Sequence, residues 1–76
     1  MKDSVEMIVK ALVDEPESVD VREIDREGAT LIEVRVAPGD MGKIIGRQGR
    51  TIRALRCLAY AVSLKKRHRY SLEIVE

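Results

Sequence analysis

Aromatic residues are nearly missing from this sequence: it has Tyr60 and Tyr70 and neither Phe nor Trp. A surface that binds bases by stacking them on successive rings is therefore excluded. Cysteine is reduced to Cys57, so no internal disulfide can form. With His68 as the sole histidine, no zinc-ligand set can be assembled either. A lone cysteine suits a reducing compartment. Apolar runs are only a few residues long, far below the ~20 needed to cross a bilayer. The first residues include Asp3 and Glu6 and no apolar signal core, so a mature, soluble, cytoplasmic protein with no membrane partner is expected. Catalytic signatures are missing too. There is no G-x-G-x-x-G and no Cys-His or Ser-His pairing in a sensible context, and Gly39-Asp40-Met41-Gly42-Lys43 is two residues short of a phosphate loop and lacks its hydroxyl residue. No enzyme activity, cofactor, metal or small-molecule substrate is expected.

What is present is a single domain's worth of chain with its charge sorted along it. A 76-residue chain buries only about 60% of the surface it exposes when unfolded, so its stability margin is thin. Residues 1–40 hold eleven acids and five bases, a net charge of −6, whereas residues 41–76 hold nine bases and two acids, a net charge of +7. The overall charge of +1 conceals a dipolar molecule with a side suited to a polyanion.

Val5, Ile8, Val9 and Leu12 recur at helical spacing and predict an amphipathic helix over residues 2–14, ended by Asp14-Glu15-Pro16. From Val19 to Glu27 the pattern alternates, with Val19, Val21 and Ile24 assigned to one side. Glu27-Gly28-Ala29 reads as a turn, and Leu31 to Val36 as the clearest strand, close enough to pair with the first as a hairpin. Pro38-Gly39 closes it. Asp40 is placed to cap a short helix over 41–45, Gly46 to stop it, and a longer helix follows Gly49 to about Lys65. Along that helix Ile52, Leu55, Ala59 and Val62 fall on one side, and Tyr70 to Val75 reads as a final strand. The fold class is α+β, in the order helix, strand, strand, helix, helix, strand.

The stretch Ile44-Ile45-Gly46-Arg47-Gln48-Gly49-Arg50-Thr51-Ile52 joins two helices by a four-residue turn with glycine at each end. The first glycine lets the chain reverse, and the second is expected to remove bulk where the backbone meets a ligand. Beyond it lies a helix N-terminus, whose free N–H groups and dipole favour phosphate. Arg47 and Arg50 can add forked donors. Arg53, three residues past Arg50, faces away from the apolar side and extends the track. Alone, Gly-x-x-Gly is more often a plain helix-helix turn.

In context, I-I-G-R-Q-G-R-x-I between two helices and after a strand resembles the signature of the KH domain, whose GXXG loop clamps the backbone of about four nucleotides. The element order is similar to the type II arrangement, and the run Ala37 to Gly49 resembles that of the KhpA group of small single-domain bacterial KH proteins. The resemblance covers nearly the whole chain. It implies a three-stranded sheet covered on one face by three helices, and single-stranded RNA as partner. It implies a clamp of Gly46, Arg47, Gln48 and Gly49, with Ile44, Ile45 and Ile52 at the apolar positions that line or support a base groove. The opposite wall would come from the last strand and the loop Lys65-Lys66-Arg67-His68-Arg69. Arg50 and Arg53 complete the expected RNA-binding set, with Lys43, Lys65, Lys66, Arg67 and Arg69 as further candidates. Self-association, or pairing with a second KH-containing protein, is also implied.

Plainer roles compete. Ile52 and Leu55 fit a core stripe, and Ile44 and Ile45 can divide between core and groove. Lys65 to Arg69 suits any helix C-terminus. His68 is expected to be a solvated loop residue and Cys57 a small packing residue. Ala54, Cys57, Ala61 and Leu64, opposite the main stripe, either pack against the first helix beside Met7 and Ala11 or form a protein-protein face. Two other functions stay in view: a protein-interaction module, and a helix-turn-helix DNA binder, which the outer face of arginines followed by Ala and Cys suits poorly.

Overall fold

The strand with the clearest alternation is the centre of the molecule. In a computed structural model that describes residues 1–75, β1 (Asp20–Arg26) and β2 (Ala29–Arg35) pair antiparallel, and β3 (Arg69–Ile74) pairs parallel to β2, giving the order β1-β2-β3. A two-residue bend at Glu27 (φ 47°) and Gly28 (φ 79°) closes the first pair. Both residues are left-handed, as a bend matching the twist of the strands requires. The helices are α1 (Lys2–Leu12), α2 (Met41–Ile45) and α3 (Arg50–Lys66), with 3-10 turns at Pro16–Ser18, Pro38–Asp40 and Arg47–Gly49.

All three helices send side chains to one face of the sheet. Val5 and Val9 of α1, Ile44 of α2, and Leu55 and Ala59 of α3 meet Val21, Ile32, Val34 and Leu72 in a single core. Ile32, Ile44, Val5, Val9 and Val34 are the largest fully buried side chains, each contributing about 1.5–3 kcal/mol. The α+β architecture and element order read from the sequence are those observed, with half-buried Ile52 packing on the core edge.

Three local expectations are corrected and one open alternative is decided. α1 ends at Leu12 rather than 14, because Val13 turns extended (φ −96°, ψ 160°) and the next two amides go elsewhere. They go to Asp40, which does not cap α2 with its side chain. Its buried carboxylate instead accepts from the Asp14 N–H at 3.2 Å and the Glu15 N–H at 3.0 Å, tying the α1–β1 connection to the start of α2. Ile24 lies on the opposite sheet face from Val21: in register Val21 faces Val34 and Ile24 faces Leu31, and an odd spacing crosses the pleat. Ala54, Cys57, Ala61 and Leu64 are exposed, as are Met7 and Ala11, so that face of α3 does not pack on α1.

Candidate nucleic-acid interface

The bend between α2 and α3 is built from three successive positive-φ or turn constraints. Gly46 has φ 75° and ψ 170°, so it stops α2 in an extended, positive-φ conformation rather than the left-handed helical one. A side chain there would collide with Thr51: an added Cβ would lie 2.8 Å from its backbone N and 2.9 Å from its Cβ. Gly49 (φ 72°, ψ 19°) is left-handed but roomy, its nearest neighbour being an Ile52 methyl at 3.8 Å. Within the protein the crowding is thus at the first glycine, and the second is needed for its backbone angle. Between them Gln48 (φ 58°, ψ 26°) is also left-handed, a conformation costing a non-glycine residue about 1–2 kcal/mol.

The bend's internal backbone bonds run from Gly46 N–H to Gly42 O at 2.9 Å, from Gly49 N–H to Gly46 O at 3.1 Å, and from Arg50 N–H to Arg47 O. None uses the amides of Arg47 or Gln48. α3 then starts at Arg50, with Gly49 as its N-cap and no side-chain cap, so beyond the Arg50 N–H its first-turn donors are left for water or an anion. Arg47, Gln48 and Arg50 are exposed and Gly46 and Gly49 half-buried. The side chains of Arg47 and Arg50 make no hydrogen bond or ion pair among the described residues.

Other expected site residues are placed differently. Ile44 is fully buried and belongs to the core, which corrects its assignment as an RNA contact, while Ile45 is 42% exposed beside the bend. Arg53 turns back, its Nη2 donating to the Gln48 carbonyl at 2.6 Å and its Nε to the Gly49 carbonyl at 3.3 Å. Lys43 donates to Asp14 and lies 3.9 Å from Asp40. The bond to Asp14 holds its ammonium above the ordinary lysine value against a smaller desolvation effect, with the charges of Asp14 and Asp40 adding to the rise.

α3 has 17 residues and spans about 25 Å, so the bend and the basic loop stand at its opposite ends. Lys65, Lys66, Arg67 and Arg69 are exposed and unpaired among the described residues. Arg67 ends α3 in the left-handed conformation (φ 53°). His68 is not solvated: it is half-buried, its Nε2 sits 2.7 Å from Thr30 Oγ1, and its ring meets Tyr70 edge-on at 4.9 Å.

With this geometry in hand, a family model described as KhpA/KhpB, KH domain, matches residues 2–74. The chain belongs to the KhpA/KhpB KH-domain family. It is similar to the RNA-binding protein KhpA of Halalkalibacterium halodurans, 49% identical over 76 residues that cover 100% of both chains. The RNA-binding protein KhpA of Caldanaerobacter subterraneus is 48% identical over 75 residues, 99% of this chain and 100% of the relative. That of Aquifex aeolicus is 47% identical over 76 residues, 100% and 96% respectively. No solved structure matches significantly.

In this KH domain one feature escaped the sequence reading. Between α3 and the outer edge of β3 lies a slot of about 240 Å³ lined by Arg56, Ala59, Tyr60, Tyr70, Ser71 and Leu72. It brings both tyrosines of the chain together with Arg56, an arginine without an ion pair among the described residues, partway along α3. The sequence signal was available: Arg56 and Tyr60 are four apart on a helix, so they share a face. The pairing with Tyr70 required the parallel placement of β3.

Proposed function

We propose that this chain binds single-stranded RNA, clamping its backbone at Gly46-Arg47-Gln48-Gly49, as a small bacterial RNA-binding protein or RNA chaperone. The observation that carries the reading is the exposed bend with two amides outside its internal bonds, flanked by the unpaired guanidinium groups of Arg47 and Arg50. Relatives spanning the whole chain are named RNA-binding proteins, which agrees with it. From the bend, the strand runs along α3 past Ile45 and into the Arg56–Tyr60–Tyr70 slot. There, Tyr60, 65% exposed, offers a ring face, and the outer edge of β3, unpaired in the sheet, offers backbone donors and acceptors to base edges. Lys65, Lys66, Arg67 and Arg69 lie at the far end to meet further phosphates. With so few anchoring groups the affinity for a short RNA is modest, and a second domain or copy raises it by avidity.

The test is Arg47→Asp with Gln48→Asp. Acids on an exposed bend repel phosphate without disturbing the core, so RNA binding is lost while the thermal melt is retained. Wild-type binding by the double variant would remove the bend from the site. Competition between single-stranded RNA and duplex DNA separates this reading from a helix-turn-helix, for which the five-residue α2 is a poor scaffold.

A second reading is favoured by one observation: Ala54, Cys57, Ala61 and Leu64 form an exposed face of small and apolar residues on α3. Such a face fits pairing with a second copy or with another KH-containing protein. Sedimentation showing only monomer at high concentration excludes the former.

A further inference from the structure

We infer that Arg53 is a positioning residue of the bend: its guanidinium holds the backbone in the phosphate-facing shape and is not itself a phosphate ligand. The inference rests on the clamp reading above and gives Arg53 a role different from that of its neighbour Arg50.

The bend contains two consecutive left-handed residues, Gln48 (φ 58°, ψ 26°) and Gly49 (φ 72°, ψ 19°). Glycine adopts that conformation freely, and glutamine does not. The residue whose conformation needs outside support is therefore Gln48, and its carbonyl receives the shorter of the two Arg53 bonds, 2.6 Å against 3.3 Å. One planar group on two adjacent carbonyls also fixes their relative orientation, which a lysine's point charge cannot do.

The same two bonds have an electrostatic consequence. Carbonyl oxygens in the bend carry partial negative charge, which opposes an approaching phosphate. A guanidinium seated on both oxygens cancels that charge and leaves the amides of Arg47 and Gln48 as the dominant dipoles. Arg53 is four and five residues beyond its acceptors, so the contact closes within the first turn of α3. Both bonds are solvent-exposed, which limits their effect on affinity to a few-fold.

The test uses the intact chain and a short fluorescent single-stranded RNA, titrated across a salt series. Arg53→Ala is expected to weaken binding about three- to ten-fold at every salt concentration without changing the slope of log K against log salt. Arg50→Ala, removing a phosphate contact, is expected to lower that slope by about 0.7. The decisive variant is Gln48→Gly combined with Arg53→Ala. Glycine needs no help to be left-handed, so the loss caused by Arg53→Ala shrinks when Gln48→Gly is already in place, leaving only the share due to the carbonyl charge. A backbone NMR spectrum of the RNA-free Arg53→Ala protein is expected to show the Gln48 Cα and Cβ shifts leaving their left-handed values.

A slope lowered as in Arg50→Ala, an equal loss with and without Gln48→Gly, or unmoved Gln48 shifts overturns the inference. The NMR readout needs no RNA, so it reports on Arg53 even if the double aspartate variant shows that RNA binds elsewhere.

Discussion

Thr30 Oγ1, on the buried face of the central strand, lies 2.7 Å from His68 Nε2 in the loop after α3. The same hydroxyl donates its one proton to Asp25 Oδ1 at 2.6 Å, so Nε2 must carry the hydrogen in the bond to His68. One threonine thus links β1, β2 and the foot of the basic loop. Thr30→Val keeps the shape and deletes both bonds, leaving Asp25 and His68 without that partner. A loss of about 1–3 kcal/mol is expected, measured as a lower urea midpoint with unchanged m-value.

The glycines should separate by cause. Gly46→Ala meets both the collision with Thr51 and the positive φ, so it is expected to be the most damaging. Gly49→Ala meets only the φ and is expected to cost about 1 kcal/mol. Gly42 lies inside α2 with open space around it and ordinary φ, so Gly42→Ala is expected to stabilise by up to about 1 kcal/mol. Thermal melts of the three variants check the ranking, and equal effects would contradict it.

Asp40→Ala removes the acceptor of two backbone amides contributed from 25 and 26 residues away. A loss of about 2–4 kcal/mol is expected from two hydrogen bonds to a carboxylate, discounted for partial burial. The local readout is amide exchange: Asp14 and Glu15 should lose protection while the strands keep theirs.

Ile44 and Ile45 are adjacent and should behave oppositely. Ile44→Ala opens a cavity in the core and is expected to cost about 2–5 kcal/mol. Ile45→Ser, on a side chain 42% exposed, is expected to leave the melt nearly unchanged and to weaken RNA binding. Binding unaffected by Ile45→Ser would take that side chain out of the groove.

The architecture was legible where a local pattern repeats: the alternation of Ile32 and Val34, the helical spacing of Val5 and Val9, and glycines at both ends of the bend. It was illegible where partners are distant or the element is too short to have a period. Asp40 looks like a helix cap because nothing nearby reveals the Asp14 and Glu15 amides. Five residues of α2 cannot say which of Ile44 and Ile45 faces inward. Arg53 reads as part of the outward basic track and His68 as solvated, because their acceptors are backbone carbonyls and a hydroxyl that composition does not display. The Ile24 misassignment is a counting matter, three residues being an odd step across a pleat.

The parallel partnership of β2 and β3 places Thr30 opposite Tyr70, far along the chain. Closing a loop of that length costs chain entropy before any contact repays it. The third strand is therefore held by what it reaches at the end of that loop, the ladder with β2 and the place of Leu72 in the core. A truncated chain lacking β3 would keep every amide of the bend and lose Leu72 from the core and Tyr70 from the slot beside α3.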